Sequence, residues 1–218
     1  MVVQKNNFSV ALFSVLFGLI VGAIIMLVFG YNPISGYIAL ISSAFGSMQD
    51  IGGVLTQMTP LILTALGFTV ASTAGFFNIG LSGQALAGWV GAVWYALSFP
   101  DMPAFVMIPS ALILGTALGA VAGLIPGWLR AQFGASEVIV TIMMNYILLF
   151  LGNNILQNTM AKSIKESAET TKQVGHNASL QLKWLTDLTQ GSSVSTGIFI
   201  ALIMIVVFWF VLKKTTLG

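Results

Sequence analysis

The feature that most constrains this chain is the length of its apolar runs. The first run extends from Phe8 to Phe29 without a charged residue, and about 20 such residues suffice for a helix to cross the hydrocarbon core of a bilayer. Only 6% of all residues are charged and 57% are hydrophobic, whereas a soluble domain carries about 25% charged residues. The chain cannot cover itself with polar surface, so it is predicted to be a membrane protein.

Helices are the predicted spanning elements. In lipid every backbone N–H and C=O group must be hydrogen-bonded within the protein, and only helices and closed barrels achieve this. Barrel strands would give short alternating segments of about ten residues, which these unbroken runs do not resemble. We therefore predict an all-α polytopic membrane protein, with residues 1–218 forming a single transmembrane domain of about six transmembrane helices. The expected spans are Phe8–Phe29, Ile51–Ala74, Gly83–Leu97, Ala104–Leu129, Glu137–Ile155 and Val194–Leu212. The segment Tyr31–Ser47 is either interfacial or partly inserted.

One segment, residues 157–193, is polar and contains four lysines and the only histidine, His176. It is predicted to be an extracellular loop, with a short amphipathic helix within Leu180–Leu188. Six spans place both termini on one side, and positive residues near helix ends favour the cytoplasm. The residues that indicate this orientation are Lys5, Arg130, Lys213 and Lys214.

Ionisable side chains are nearly absent from the predicted spans, and this excludes several functions. An ion-coupled carrier needs a buried relay of such groups, and a hydrolase needs a Ser/His pair, an Asp pair or a metal site. Glu137 follows Ser136, a candidate helix N-cap, and a carboxylate in the first turn is favoured there; the alternative is a partner contact at the cytoplasmic face, together with Arg130. We expect no catalytic residue, metal or other cofactor, and no enzyme activity.

Charge also bears on the partners, because the net charge is only +2 and is scattered along the chain. A nucleic-acid partner is therefore not expected. Without a buried relay, the energy for any transport is expected to come from another subunit.

Small residues recur every four positions in three of the spans, including Gly18 and Gly22 of the first. This spacing places them on one helix face, where backbones can approach closely. We predict that they pack helices together, while a face that slides during gating is the alternative. The predicted packing residues are Gly115, Gly119, Gly123 and Gly127 in the fourth span, and Gly83 and Gly91 in the third.

The stretch GFFNIGLSGQALAG, residues 75–88, interrupts the apolar pattern with four glycines and several polar residues. Gly75 and Gly80 can end or unwind a helix, and Asn78 or Ser82 can cap the helix that follows. The prediction is a discontinuous or re-entrant region near Gly75–Gln84, with a plain turn as the alternative. Polar residues in spans either join helices or line a pathway. The predicted pathway residues are Asn78, Ser82, Gln84, Asn145, Tyr146 and Gln57.

At FFNIGLSGQALAGWVGAVW and SEVIVTIMMNYI, with TPLILTALGF and IPGWLRAQFG, the sequence resembles bacterial ABC importer permeases for nucleosides and simple sugars. These are related to the branched-chain amino acid and ribose permeases. The resemblance implies a multi-pass protein of the bacterial plasma membrane that provides a translocation pathway for nucleosides or related sugars. It also implies three partners: a second permease subunit, a cytoplasmic ABC ATPase and an extracellular substrate-binding lipoprotein.

The sequence departs from that family at three points. Ser82 stands where relatives often have Glu, and Thr73 where they often have a basic residue, so a charge pair between these positions cannot be transferred. Family members usually continue past KKTTLG, so the chain is expected to be the N-terminal part of a permease. Two alternatives stay open: a passive channel or facilitator, and a membrane scaffold or truncated relic without transport activity.

Overall fold

A computed structural model describes residues 7–160, 164–167, 170–189, 191, 192 and 194–215. Lys5, which contributed to the predicted orientation, lies outside the described residues. Within them the fold is helical, and β-pairing is confined to two isolated bridges in the polar loop. The helices are α1 (Asn7–Val28), α2 (Pro33–Phe45), α3 (Met48–Thr73), α4 (Leu81–Ser98), α5 (Ala104–Phe133), α6 (Glu137–Asn154), α7 (Lys183–Leu188) and α8 (Gly197–Lys214).

The predicted all-α polytopic class is confirmed. Among the described residues, five helices are long and apolar enough to cross a membrane, and α4, the third predicted span, is not one of them. It has 18 residues, and Gln84 together with its glycines and serines lowers its hydropathy. The five helices contain Ser9–Val28, Met48–Thr73, Ala104–Phe133, Glu137–Thr159 and Gly197–Lys214.

Helix α4 is nevertheless the centre of the bundle, packed between α5 and α6. It runs antiparallel to α5, where a Cβ added at Gly88 would lie 2.7 Å from the carbonyl oxygen of Gly115. It runs parallel to α6, because Gly83 faces Asn145 and Gly152 faces Val90. Glycines on both contact lines let the backbones approach closely.

The remaining long helices form a second group around α3. Helix α8 packs on α3, and α2 lies between α3 and α1. Asn32 caps α2 by accepting the N–H groups of Ile34 and Ser35, and Tyr37 donates to the carbonyl of Leu19 on α1. Large side chains of α1 such as Phe13 and Phe17 are exposed, which suits contact with lipid.

The polar loop lies at one end of the bundle, and the predicted short helix within Leu180–Leu188 is confirmed as α7. Ser192 donates to the carbonyl of Gln49 at the start of α3, and Asn177 donates to the carbonyl of Pro100 after α4. Arg130, at the far end of α5, lies at the opposite end of the bundle.

Candidate translocation site

The break between α3 and α4 begins with a tight helix end at Gly75. The N–H of Phe76 donates to the carbonyl of Ala71 (2.9 Å) and the N–H of Gly75 to that of Ser72 (3.0 Å). Gly75 has φ 73°, a left-handed conformation that glycine adopts without strain, and this pair of bonds is a Schellman ending. The chain reverses there and turns back toward the bundle.

The returning segment places the start of α4 inside the bundle. Phe77 packs edge-on against Phe68 of α3, with ring centroids 5.4 Å apart. The backbone at Ile79 and Gly83 contacts Thr141 and Asn145 of α6. Those two residues come four and eight positions after the first residue of α6, so α4 begins about 6–12 Å inside it at 1.5 Å per residue. The predicted discontinuity near Gly75–Gln84 is confirmed, and we call residues 76–83, which turn back against α6, the re-entrant segment.

Asn78 is buried in this segment and bonds locally. Its Oδ1 accepts the N–H of Gly80 (2.9 Å), the Asx-turn geometry that asparagine favours. Its amide also pairs reciprocally with that of Gln84, both distances being 3.3 Å. The N-cap position of α4 is Gly80, without a side-chain cap, so the expected capping of α4 by Asn78 or Ser82 was wrong.

Two side chains of α6, Thr141 and Asn145, hold the backbone of the re-entrant segment, and we call them the α6 clasp. The N–H of Ile79 donates to Thr141 Oγ1 (3.3 Å). Asn145 accepts the N–H of Gly83 at Oδ1 (2.8 Å) and donates from Nδ2 to the carbonyl of Ile79 (2.9 Å). The clasp satisfies backbone groups that would be costly to leave unpaired inside a bundle.

The clasp requires glycine at two positions of the segment. A Cβ added at Gly83 would lie 2.8 Å from Asn145 Oδ1 and 3.0 Å from its Cα. A Cβ added at Gly80 would lie 3.1 Å from Asn78 Oδ1 and 3.2 Å from the carbonyl oxygen of Thr141. Close approach to α6, rather than unusual backbone angles, explains both glycines, because Gly80 has φ −78°.

Beside the clasp lies a cavity of about 410 Å³, which we call the inner cavity. It brings together three of the predicted pathway residues, Ser82, Asn145 and Tyr146. Ser82 and Tyr146 are exposed and contribute hydroxyl groups to the lining, whereas Asn145 is half-buried and its amide is bonded in the clasp. The remaining lining residues are Ile79, Gly83, Leu86, Ile142 and Leu149.

The other predicted pathway residues lie elsewhere. The Gln84 side chain turns toward α5, where it would contact a Cβ added at Gly123 at 3.4 Å. Gln57 is exposed on α3 and takes no part in the clasp or the inner cavity. Thr141 was not predicted as a site residue. Its spacing of four from Asn145, which puts both on one face of a helix, was the available signal.

The glycines expected to pack helices divide by their neighbours. Gly115 and Gly119 face the α4 backbone at Gly88 and Gln84, and Gly91 faces Leu118. At Gly127 no atom of the described residues lies within 4 Å of an added Cβ, so this glycine does not pack against a neighbouring helix.

At the end opposite the polar loop, Arg130 and Glu137 form an ion pair that closes the turn between α5 and α6. Gly134 ends α5 with φ 62°, and Ser136 occupies the N-cap position of α6 without a side-chain capping bond. Thr141 donates from Oγ1 to the carbonyl of Glu137 (2.7 Å). The first turn of α6 thus joins the ion pair to the clasp.

A helix break beside a cavity inside a helical membrane bundle is a feature of transport proteins, in which discontinuous helices line the pathway. The comparison with protein families agrees with this class. Residues 51–218 match the family described as the permease component of the branched-chain amino acid transport system. The chain belongs to this family.

Individual relatives are permeases. The chain is 50% identical to the nucleoside ABC transporter permease protein NupB of Lactococcus lactis subsp. cremoris, over 99% of the chain and 60% of NupB. It is 42% identical to the guanosine ABC transporter permease protein NupP of Bacillus subtilis, over 100% of the chain and 61% of NupP. It is 26% identical to the glucose ABC transporter permease protein TsgB13 of Haloferax volcanii, over 94% of the chain and 55% of that protein.

The chain therefore spans about three fifths of the length of the first two relatives. No solved structure matches it at a significant level.

Proposed function

We propose that this chain forms part of the membrane-spanning permease subunit of an ATP-driven importer for nucleosides. The observation that carries the proposal is the inner cavity, which lies between the clasped start of α4 and the α6 face bearing Asn145 and Tyr146. The family match and the names of NupB and NupP support the same function. The cavity volume of about 410 Å³ lies within the range of roughly 300–1,000 Å³ typical of small-molecule sites.

The partners follow from this function. ATP hydrolysis would reside on a separate cytoplasmic ATPase, a second permease subunit would complete the pathway, and an extracellular lipoprotein would deliver the nucleoside. The protein would lie in the bacterial plasma membrane with the polar loop outside and the Arg130 end in the cytoplasm. The pathway role of Ser82, Asn145 and Tyr146, which line the inner cavity, is part of the proposal. The pathway role of Asn78, Gln84 and Gln57 stays a prediction.

Uptake by the complete transporter in proteoliposomes tests the function. We expect guanosine accumulation that requires ATP and stops when the ATPase is inactivated by substitution of its nucleotide-binding lysine. Flux that persists without ATP would instead indicate a facilitator. A well-folded complex without guanosine flux under either condition would contradict transport and favour a scaffold.

These 218 residues contain no cysteine, so single cysteines can be introduced into them to test the pathway in a transporter whose other parts are made cysteine-free. Ser82→Cys and Tyr146→Cys are expected to react with a water-soluble thiol reagent and to be protected by guanosine. Leu202→Cys, at an exposed position of α8, is the control and should react slowly and without protection. Gln57→Cys in the same assay decides whether the pathway includes α3. Equal labelling of Ser82→Cys and Leu202→Cys would refute the pathway role of the inner cavity.

A further inference from the structure

Three cavities follow one another along a single face of α4. The inner cavity is lined by Ser82 and Leu86. The next, of about 280 Å³ and here called the middle cavity, is lined by Leu86, Trp89 and Val93. The third, of about 790 Å³ and here called the outer cleft, is lined again by Trp89 and Val93. Spacings of four, three and four positions put these residues on one helix face, so the cavities lie in series along α4. We call this series the route.

The opposite wall of the route changes along its length. Helix α6 supplies it in the inner cavity, through Tyr146, and in the middle cavity, through Asn153. In the outer cleft the wall is the polar segment 171–181 of the loop. The route therefore leads from the loop end of the bundle to the re-entrant segment.

The loop wall of the outer cleft is fixed by hydrogen bonds. Asn177 donates from Nδ2 to the carbonyls of Pro100 (2.7 Å) and Met102 (2.9 Å). Thr196 donates from Oγ1 to the carbonyl of Leu180 (2.8 Å), and the N–H of Lys172 donates to the carbonyl of Ile164 (2.9 Å). Because the loop wall is held at both ends and in the middle, little conformational entropy would be lost in ordering it when a ligand binds.

The two walls of the outer cleft offer different chemistry. Trp89 and Val93 provide an apolar surface, and the indole-bearing Trp89 is 57% exposed. Gln173 and Gln181 provide amide donors and acceptors on the loop side, and His176 provides a ring nitrogen. A ligand that fits both walls has a flat aromatic face and polar edges. Purine and pyrimidine bases have this form, and they stack well on aromatic side chains.

We propose that the outer cleft is a nucleobase-binding site at the entrance of the route, where the base stacks on Trp89 and the amides of Gln173 and Gln181 bind its polar edges. The substrate class rests on the proposed function. Trp89 is then a specificity-determining residue of the permease itself, in addition to any selection by a binding protein. Ribose lacks the base that stacks on Trp89, so the cleft is expected to bind a nucleoside more tightly than free ribose.

Equilibrium binding to the complete transporter in nanodiscs, without the binding lipoprotein, tests the proposal with guanosine and ribose as probes. Trp89→Leu is expected to raise the Kd for guanosine about 5- to 150-fold, because the aromatic stack on the base is lost. Trp89→Phe keeps a ring and should retain most of the affinity. Trp209→Leu is the matched control, because Trp209 is similarly exposed on α8 at 52% and lines none of the three cavities.

The outcomes separate this inference from the proposed function. Equal Kd values for Trp89→Leu and Trp209→Leu would overturn the inference, while ATP-dependent guanosine uptake by both variants would leave the proposed function intact. Trp89-dependent binding of guanosine without uptake would sustain the site and contradict the importer. Absence of guanosine binding to the unmodified transporter, or ribose binding with the same dependence on Trp89, would also overturn the site. Melting temperatures near that of the unmodified complex establish that each variant is folded.

Discussion

Replacing Asn145 with leucine tests whether the α6 clasp holds the re-entrant segment. The substitution keeps the size of the side chain but removes two hydrogen bonds, from the N–H of Gly83 and to the carbonyl of Ile79. A hydrogen bond contributes about 0.5–1.5 kcal/mol net, and bonds between membrane helices average about 0.6 kcal/mol. The segment should therefore detach from α6 more readily by about 1–3 kcal/mol, which is roughly a 5- to 150-fold larger open population.

Hydrogen exchange of the complete transporter measures this opening. The amides from Ile79 to Gly83 are expected to lose protection by that factor in Asn145→Leu, because exchange reports local opening. Asn154→Leu is the matched control, since Asn154 is an exposed asparagine on the same helix that takes no part in the clasp. Thr141→Val, which removes the single acceptor for the Ile79 N–H, should give a smaller loss. Equal protection of these amides in Asn145→Leu and Asn154→Leu would refute the reasoning.

Three further predictions concern the packing, the α5–α6 turn and the loop. Gly88→Ala should lower the melting temperature by about 2–10 °C, because the added Cβ would lie 2.7 Å from a backbone oxygen of α5 and overpacking costs about 1–3 kcal/mol. Gly127→Ala is the control: its Cβ meets open space, so the melting temperature should not fall. In a double-mutant cycle of Arg130→Gln and Glu137→Gln, the coupling in unfolding free energy should stay below about 1 kcal/mol, since the Arg130 side chain is 44% exposed; coupling above 2 kcal/mol would contradict this. Asn177→Ala removes both bonds that hold the loop to the α4–α5 turn, so trypsin should cleave at the loop lysines faster than in unmodified protein.

Much of the fold could be predicted from the sequence because apolarity is a local property. The helices α1, α3, α5 and α8 lie where long apolar runs stand, and each satisfies the length that a bilayer requires. The break at Gly75 was also visible, because a glycine-rich polar stretch inside apolar sequence has few other physical explanations.

The arrangement of the site could not be predicted, because it depends on contacts distant in the chain. Asn145 and Gly83 are separated by 62 positions, and no local pattern shows that α4 runs parallel to α6. The same limit applies to Gln84, because its polarity alone does not show that its amide pairs with that of Asn78. Trp89 was not predicted as a site residue, because its proposed contact with a base depends on the distant loop segment that forms the other wall of the outer cleft.

The clasp binds main-chain atoms, and this has a consequence for how the sequence can vary among homologous proteins. Ile79 and Gly83 are held through their N–H and carbonyl groups, so the side chain at position 79 is free to change while the hydrogen bonds persist. Gly80 and Gly83 are free to change only together with the α6 residues that face them. In an alignment, positions 80, 83, 141 and 145 should therefore covary as one group, while their immediate neighbours drift independently.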